Sequence, residues 1–542
     1  MKVKSTLYRS LWCLLFLLPI AVCPAATGKI IYVDTDAIGA NDGSSWQNAY
    51  TFLQDALADA NSFEKPIEIR VAQGIYTPDS SSVSHDGTGN QKATFQLINN
   101  VIIIGGYAGF GETDPNDRDI NSFKTILSGD LDDNDADEND LFSLSSEPTR
   151  TENSFHVVTG SGADDSAILD GFAITAGNAR YPSPDSRGGG MYNDSGNPTV
   201  TNCTFRTNAS SSDGGGMYNY NSNSILTNCS FSRNWAIGGA GMYNLNSSPT
   251  LIDCTYDENS NVADYFIEVQ DLRGGTMFNK NSDPTLINCT FNANHNSGMW
   301  NQTSDPTLIN CTFRMNNGNG MVNRGSSPIL TGCVFSGNFA QSGGGMYNYG
   351  RSEPRIANSI FSGNSSVSEG GGIYNRERSR TMLTNCTLTG NSAYSGGGIF
   401  SQEPISVLIN CILWDNTPDQ TTSLRTIKNS NIQGGVPGEG NIDVDPLFAK
   451  PGCWANTNDP NIIVDSGDPN AVWIDGDYHL KSQAGRWDTN SQSWVVDDVT
   501  SPCIDAGDPN MPVGDEPMPN GGRINMGAYS GTPEASKSYI DY

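Results

Sequence analysis

The sequence of 542 residues predicts an all-β fold, a single parallel β-helix with an N-terminal helical cap. Three observations support this. One motif recurs nine times through the middle of the chain. Its apolar positions alternate as in short strands, and a residue that tolerates left-handed backbone angles recurs at one place in every copy. We expect roughly 13 to 15 coils in all, about 65 Å long at the usual spacing of strands.

The repeated motif is exemplified by "GGGMYNYNSNSILTNCSFSRN" at residues 214–234. Its nine copies, numbered from the cysteine position, are centred on Cys203, Cys229, Cys254, Cys289, Cys311, Cys333, Ser359, Cys386 and Cys411. A loose period, mostly in the twenties, excludes heptads and two-helix repeats, and leaves leucine-rich repeats or β-solenoids. Short β-prone runs between Gly and Asn favour one coil of a parallel β-helix per copy.

A bend is predicted just before each cysteine position. Apolar residues stand three places before and two places after it. Strict alternation along a strand cannot place these two side chains and the cysteine itself on one face. The residue immediately before it is always Asn, Asp or Gly: Asn202, Asn228, Asp253, Asn288, Asn310, Gly332, Asn358, Asn385 and Asn410. Since these residue types best tolerate left-handed angles, we expect a tight left-handed bend there.

A second asparagine follows each cysteine position by five residues. This column comprises Asn208, Asn234, Asn259, Asn294, Asn316, Asn338, Asn364, Asn391 and Asn416. Stacked about 4.8 Å apart, such amides can hydrogen-bond from coil to coil, so the column predicts an amide ladder.

The cysteine column is predicted to consist of buried free thiols. In-register strands hold Cβ atoms near the strand spacing, farther apart than the roughly 3.8 Å of a disulfide. Ser359 interrupts the column, which also argues against obligatory pairing. Outside the column, Cys453 and Cys503 are the better candidates for a disulfide in an exported protein.

The first half of each copy places an aromatic residue after an apolar one, usually methionine. If methionine points inward, pleating turns the next side chain outward and creates an external aromatic stripe. One interpretation is a structural ladder of rings beneath loops; the other is a platform for sugars. The candidate ligand-binding residues are Tyr192, Tyr218, Tyr243, Phe278, Trp300, Tyr347 and Tyr374. The insertion at residues 257–273 could wall one side of a groove.

The N-terminal end offers the cap and a candidate cation site. "TFLQDALADA" predicts a short helix, with Thr51 and Gln54 spaced as a capping box, that covers the open end of the solenoid. Farther on, residues 129–140 read "GDLDDNDADEND", which suits either a calcium ion bound by loop oxygens or a disordered acidic loop. The candidate metal ligands are Asp130, Asp132, Asp133, Asp135 and Asp137.

Charge and the N-terminus bear on partners and location. With 30 basic and 59 acidic residues the net charge is −29, so nucleic acid and anionic membranes are unfavourable partners. Residues 1–25 are typical of a signal peptide, with basic residues before an apolar run and small residues near the end. An acylated Cys23 is disfavoured by the bulky Val22 before it. We expect a secreted or cell-surface protein, monomeric and without a transmembrane segment in the mature chain.

The "GGGMYN" and "NCTFxxN" units across residues 188–416 resemble the repeats of polymorphic outer membrane proteins and, more broadly, right-handed parallel β-helix repeats of exported bacterial proteins. The opening "YVDTDAIGANDGSSWQNAYTFLQDAL" and the closing "DPLF", "DYHL", "SPCIDAGDP" and "MGAY" resemble the ends of β-helix proteins with a choice-of-anchor Q domain. The resemblance implies a right-handed solenoid and adhesion. We divide the mature chain into a cap with first coils (26–180), the nine-coil repeat (181–416) and a C-terminal region with an anchor-like tail (417–542).

Two functions follow from these features. The first is adhesin-like binding of a saccharide or of another cell's surface. The alternative is a polysaccharide lyase or glycoside hydrolase of the pectate-lyase-like type, because those enzymes share the fold. A lyase needs a base and cationic groups that neutralise a uronate. The best basic cluster is Arg376, Arg378 and Arg380 beside Glu377, one coil after Arg351 and Arg355, and we assign no catalytic residue. The four histidines His85, His156, His295 and His479 form no sequence cluster.

Overall fold

The computed structural model describes residues 28–136, 144, 146–180, 185–261, 274–404, 406–423, 425–468 and 470–539. Over these residues the chain winds into a solenoid whose coils stack into three long parallel sheets, here called sheets A, B and C. The predicted signal peptide lies outside the described residues. The fourteen rungs of sheet A fall within the 13 to 15 coils expected from the sequence.

Sheet A contains the leucine position of each repeat. Its strands, in spatial order, are Lys29–Val33, Ile67–Ala72, Val101–Tyr107, Ile168–Asp170, Thr199–Thr201, Ile225–Thr227, Thr250–Ile252, Thr285–Ile287, Thr307–Ile309, Ile329–Thr331, Arg355–Ala357, Met382–Thr384, Val407–Ile409 and Thr426–Lys428.

Sheet B contains the methionine position and the aromatic residue that follows it. Its strands are Phe95–Gln96, Val158–Thr159, Met191–Asp194, Met217–Tyr220, Met242–Leu245, Met277–Lys280, Met299–Gln302, Met321–Arg324, Met346–Tyr349, Ile373–Asn375, Ile399–Ser401 and Thr421–Thr422.

Sheet C contains the phenylalanine position two residues after the cysteine. Its strands are Gly74–Tyr76, Thr125–Ser128, Ala173–Thr175, Thr204–Arg206, Ser230–Ser232, Thr255–Asp257, Thr290–Asn292, Thr312–Arg314, Val334–Ser336, Ile360–Ser362, Thr387–Thr389, Ile412–Trp414 and Asn431–Ile432. Short strands after sheet C form a four-rung ladder, Asn178–Ala179, Ala209–Ser210, Trp235–Ala236 and Ser260–Asn261, and a pair, Phe339–Ala340 with Ser365–Ser366.

Each coil of the repeat turns from sheet A to sheet C at the predicted bend. All nine residues before the cysteine position have positive φ, between 49° and 67°. The predicted left-handed bend is confirmed. A second left-handed corner follows sheet C, four residues after the cysteine position, with φ between 49° and 65°. It was not predicted, because its occupants include Thr207, Arg233, Glu258, Ala293 and Met315, which share no intrinsic preference for positive φ.

The interior is filled by columns of identical side chains. The methionine, leucine, cysteine and phenylalanine positions of the repeat belong to one continuous buried cluster. Along the phenylalanine column, from Phe205 to Phe361, adjacent ring centroids lie 4.5 to 4.8 Å apart and the ring planes lie within 6° of parallel. In-register stacking therefore packs the core one rung at a time.

The predicted amide ladder is confirmed. From Asn208 to Asn416, each side-chain Nδ2 donates to Oδ1 of the asparagine in the next coil, at 2.8 to 3.2 Å. The same Oδ1 accepts the preceding asparagine's backbone N–H, as from Asn294 to Asn316 at 3.2 Å. Each Nδ2 also donates to a main-chain carbonyl of the coil before it, as Asn316 does to Phe291 at 3.0 Å.

A second ladder, not predicted, runs through sheet B. The asparagine two residues after the methionine position donates to its neighbour over seven steps from Asn193 to Asn375, at 2.8 to 2.9 Å. These asparagines are almost completely buried. Their Met-aromatic-Asn spacing is present in the sequence and could have revealed the ladder.

The N-terminal cap is the helix α1, Leu53–Ser62, which buries Leu53, Ala56, Leu57 and Ala60. The predicted helix is present, but the capping box is wrong. No side chain caps its first turn, and Gln54 Nε2 instead donates to the carbonyls of Pro78 at 2.5 Å and Thr94 at 2.9 Å. Gln54 thus hydrogen-bonds to the segments that pack on the helix and not to the first turn of the helix. A 3-10 turn, Pro148–Arg150, is the other short helical element described.

The C-terminal region folds back onto the solenoid. Its small antiparallel sheets pair Phe448–Lys450 with Asp477–Leu480, Cys453–Asn456 with both Asp459–Ile463 and Ala471–Ile474, and Arg486–Asp488 with Ser493–Val495. Trp473 lies against Gly363 and Gly390, whose positive φ and contact with the indole leave no room for a Cβ. Val334, Ile360 and Ile412 on the outer face of sheet C belong to the cluster that this region covers.

All ten described cysteines are free thiols, and the eight column cysteines are buried. Thiols of the column donate to main-chain carbonyls, as Cys229 does to Val200 at 3.5 Å. The suggested disulfide between Cys453 and Cys503 is wrong. Cys453 lies in a hairpin packed near Trp473, whereas Cys503 is buried and its sulfur accepts Asn431 Nδ2 at 3.0 Å.

The amide ladder predicts that truncating one of its asparagine side chains lowers the free energy of unfolding strongly, whereas truncating a neighbour outside the ladder does not. Asn316→Ala removes the four hydrogen bonds of its side chain from a fully buried corner, so we expect unfolding to be easier by about 3 to 5 kcal/mol. Urea denaturation followed by circular dichroism measures this. Asn317→Ala, the exposed neighbour, is the matched control and should change stability by less than about 0.5 kcal/mol. Equal effects of the two substitutions would contradict the role of the ladder.

The cysteine column also predicts which thiols react with an alkylating reagent in the native protein. Burial raises the pKa of the Cys203 and Cys386 thiols well above the usual range, and the reactive thiolate is therefore scarce. Iodoacetamide labelling with peptide mapping should modify the half-exposed Cys453 in the native protein and the eight column cysteines only after unfolding. A bridge joining Cys203, Cys229 or Cys254 would disprove this.

Candidate functional site

The aromatic column lies on the outer face of sheet B. Strand register places Tyr192, Tyr218, Tyr243, Phe278 and Trp300 on successive rungs. Neighbouring rings are stacked with centroids 5.0 to 6.3 Å apart and planes within 21° of parallel. The predicted outward direction and stacking are both present.

Val322 occupies the next rung and divides the column in two. Beyond it Tyr347 and Tyr374 stack at 5.1 Å and 11°, and Phe400 meets Tyr374 edge-on at 5.5 Å. At the other end His156 stacks on Tyr192 at 4.9 Å. The column thus comprises two ring runs on one face.

Exposure separates the seven candidate residues into two groups. Tyr218, Tyr243 and Phe278 are only 1%, 3% and 1% exposed and form a cluster of their own, distinct from the interior of the solenoid. The Arg187 guanidinium lies 5.3 Å above the Tyr218 ring, and burial raises the pKa of Tyr218 to about 12. These three rings contribute packing and have little surface for a ligand.

The other four candidates are half-buried: Tyr192, Trp300, Tyr347 and Tyr374. Arg376 reaches Tyr347, its Nη1 lying 3.5 Å from the phenol oxygen. Most of the insertion expected to wall a groove, residues 262–273, lies outside the described residues.

The acidic segment contributes two of its five candidate ligands to a cluster. Oxygens of Asp130, Asp135 and Glu152 lie within 4.8 Å of one another. Asp132 and Asp133 are exposed and are not part of this group, and Asp137 lies outside the described residues. Glu152 was missed because it stands 17 residues after Asp135 in the sequence, beyond a loop that no motif spans.

Burial shapes the electrostatics of this cluster. Asp135 Oδ2 accepts Arg150 Nη1 at 3.1 Å and Asn153 Nδ2 at 3.0 Å. Burial raises the pKa of Asp135 to about 6. Asp135 Oδ1, Glu152 Oε1 and Asn153 Oδ1 are buried and have no hydrogen-bond partner among the described residues. These three oxygens, two of them from the clustered carboxyl groups, are a donor set suited to a hard cation.

The basic cluster considered for a lyase is arranged as ion pairs on exposed turns. Arg376 pairs with Glu377 at 3.5 Å, Arg378 with Glu403 at 3.9 Å, and Arg380 with Glu353 at 2.7 Å. The histidines are dispersed. His479 is buried against Asp477 and Tyr529 in the C-terminal region, and His156 lies under Tyr192.

Comparison with known proteins defines the class as a right-handed parallel β-helix. The family described as "right handed beta helix region" matches residues 145–301, 237–361 and 299–440, which together span more than half of the sequence. The chain belongs to this right-handed β-helix family. A second family, described as "disaggregatase related", matches residues 452–507. No curated protein matches the sequence.

Among solved structures, the chain is similar to pectate lyase Pel9A, with 14% identity, a TM-score of 0.36 and coverage of 93% of this chain and 96% of the other. It is similar to tailspike protein 3 of bacteriophage CBA120, with 14% identity, a TM-score of 0.35 and coverage of 87% and 69%. A rhamnogalacturonan lyase shares 10% identity at a TM-score of 0.30, with coverage of 78% and 91%. None of the helices in the described ranges is long and apolar enough to cross a bilayer.

Proposed function

We propose that the protein binds an extended saccharide along the outer face of sheet B, as an adhesin-like protein secreted or displayed at the cell surface. The observation that supports this most is the pair Tyr347 and Tyr374, stacked at 5.1 Å and still half-exposed. Flat ring edges and faces at strand spacing suit the apolar faces of sugars, each contact contributing about 1 kcal/mol. Trp300 and Tyr192 extend the same face across the interruption at Val322.

A polymer gains from this arrangement because its contacts repeat. Single rings bind weakly, but several engaged by one chain act at high effective concentration, so the affinities multiply. The three buried rings are stacked in the column between Tyr192 and Trp300. We therefore assign contact with ligand to the half-exposed rings and packing to Tyr218, Tyr243 and Phe278.

Binding without catalysis is favoured over the lyase alternative by the pairing of the basic cluster. Arg376, Arg378 and Arg380 each have a glutamate partner, so their charge is already balanced and is less available to a uronate carboxylate. Among the described residues the histidines lie in separate parts of the fold, so no histidine base stands beside these arginines.

The proposal of an exported monomer rests on composition. The N-terminal 25 residues have the pattern of a signal peptide, and a net charge of −29 favours a soluble chain in a salty exterior. Such charge disfavours nucleic acid, and we propose a polysaccharide or a cell-surface ligand as the partner.

We also propose that calcium binds at Asp130, Asp135 and Glu152, with Asn153 as an additional oxygen donor. The support is the set of three buried oxygens that lack a partner in the part of the chain that the structure describes. The cluster joins the acidic segment to residues 152–153, near the start of the repeat region, so an ion there would fasten a loop to the solenoid rather than take part in binding sugar.

The aromatic column predicts that the protein loses polysaccharide binding when the half-exposed rings are removed. Tyr347→Ala combined with Tyr374→Ala removes two stacking contacts, and retention of a polymer should fall roughly 30-fold at about 1 kcal/mol per ring. Affinity electrophoresis through xylan, galactomannan, pectin and alginate measures retention, and ultraviolet absorbance of unsaturated products tests for lyase activity. Tyr394→Ala, an 84% exposed tyrosine outside the column, should leave retention unchanged.

Two results would contradict the proposed binding. Unchanged retention in the double variant would place the binding face elsewhere. Release of unsaturated products by the wild-type protein would favour the lyase alternative.

The cation site predicts stabilisation that depends on Glu152. Calcium bound only by the folded protein at 100 times its Kd adds about 2.7 kcal/mol, so calcium should raise Tm and EGTA should lower it. Glu152→Gln should abolish the response, whereas Asp132→Asn, an exposed acid of the same segment, should keep it. If EGTA leaves the Tm of the wild-type protein unchanged, calcium does not bind there.

A further inference from the structure

A cavity of about 220 Å³ opens beside the N-terminal cap. It lies between the first turn of α1, the first strand of sheet C and the loop at residues 77–85. The residues that line it include Thr35, Thr51, Phe52, Thr77, Ser80 and His85. Neither the repeat nor the aromatic column contributes a side chain to it.

The lining combines hydroxyl groups with ring and aliphatic surfaces. Thr35, Thr51, Thr77 and Ser80 supply hydroxyls, and Thr77 Oγ1 and Ser80 Oγ lie 2.7 Å apart. The rings of Phe52 and His85 meet edge-on at 5.0 Å and 89°. Among the described residues, His85 is the one ionisable acidic or basic side chain that lines the cavity, in a chain of net charge −29. This chemistry matches a hydroxyl-rich, uncharged ligand with one apolar face.

The loop that forms one wall is held in place before any ligand arrives. Gln54 Nε2 donates to Pro78 O at 2.5 Å, and Asp55 Oδ2 accepts the Ser82 N–H at 2.9 Å. Asp79 Oδ2 accepts the N–H groups of Thr88 at 2.7 Å and Gly89 at 2.9 Å. A wall fixed by four hydrogen bonds reduces the entropy lost on binding.

The helix that lines the cavity is hydrogen-bonded to the segment that leads into sheet B, the sheet that carries the aromatic column. Gln54, next to the lining residue Leu53, also donates to Thr94 O at 2.9 Å, and Thr94 immediately precedes the first strand of sheet B. In that strand Gln96 is in register with Thr159, which is in register with Tyr192. Tyr192 therefore stands two rungs, about 10 Å, from the rung beside the cavity.

We propose that this cavity binds the terminal ring of a neutral saccharide. The inference rests on the proposed function in taking saccharide as the ligand class. A chain lying along the column would place its end ring against Phe52 and His85, with its hydroxyls toward the threonine and serine side chains. The cavity would thereby distinguish a chain end from an internal unit.

The test uses the full-length protein and the methyl glycosides of glucose, galactose, mannose, N-acetylglucosamine and glucuronic acid, observed by saturation-transfer NMR. We expect at least one neutral glycoside to bind. Ser80→Phe, which fills the cavity, should weaken that binding at least 10-fold, and His85→Ala should weaken it measurably without filling the space. Val83→Phe adds the same ring to a 91% exposed position of the loop, outside the lining, and should bind as the wild type does.

Several results would overturn the proposal: no neutral glycoside binds, glucuronide alone binds, or Ser80→Phe with an unchanged Tm binds like the wild type. This failure is distinct from failure of the proposed function. In one outcome the double variant at Tyr347 and Tyr374 loses polymer retention while the wild-type protein binds no monosaccharide. That combination would support binding at the aromatic column and reject binding in the cavity. Monosaccharide binding lost in Ser80→Phe, with no polymer retained by the wild type, would keep the cavity and reject the column.

Discussion

The asparagine ladder at the corner after sheet C is the interaction on which the rest of the solenoid depends. The residue before each ladder asparagine has positive φ even where it is Thr, Arg, Glu, Ala or Met, a conformation that costs such residues of order 1 kcal/mol or more each. The asparagine offsets this cost. Its amide donates to the next coil and to the coil before it, and its oxygen accepts two N–H groups, as in Asn316. A fully satisfied buried amide at every corner therefore fixes both the bend and the register between coils.

Register is what turns a repetitive sequence into extended surfaces. Because each coil stacks directly on its neighbour, one residue type per repeat becomes one column in space, inside as the phenylalanine stack and outside as the rings of sheet B. The outer faces of sheets C and B then differ in whether another part of the chain covers them. On sheet C the residue after the cysteine position is Thr or Ser in the first five coils. In the last four, where the C-terminal region packs, it is Val334, Ile360, Thr387 and Ile412. On sheet B half-exposed rings continue through the same coils, which leaves that face available.

Sequence reasoning succeeded where a position accepts few residue types and failed where the cause lies in another part of the chain. The bend before the cysteine admits Asn, Asp and Gly, so nine copies suffice to predict it. The corner at Thr207 or Met315 carries no such restriction, because its conformation is imposed by the following asparagine. Gln54 has the spacing of a capping residue, yet the carbonyls of Pro78 and Thr94 bind it. Glu152 joins Asp130 and Asp135 only through folding of the intervening loop, and the guanidinium that lies over Tyr218 comes from Arg187, which stands 31 residues earlier in the chain.

Different positions of each repeat determine the stability of the solenoid and the contacts that its aromatic column offers to a ligand. Repeats contact only their neighbours, so a substitution at a ladder asparagine weakens adjacent rungs, whereas an outer ring can be replaced without disturbing the hydrogen bonds of its coil. Val322 is a natural example, since it replaces a ring while its strand keeps both neighbours in register. A surface assembled from such independent positions distributes affinity over many weak contacts, which suits a long polymer better than a small molecule. The cavity at the cap differs in this respect, because its walls come from three segments that meet once, so specificity for a single ring can arise there and not along the repeats.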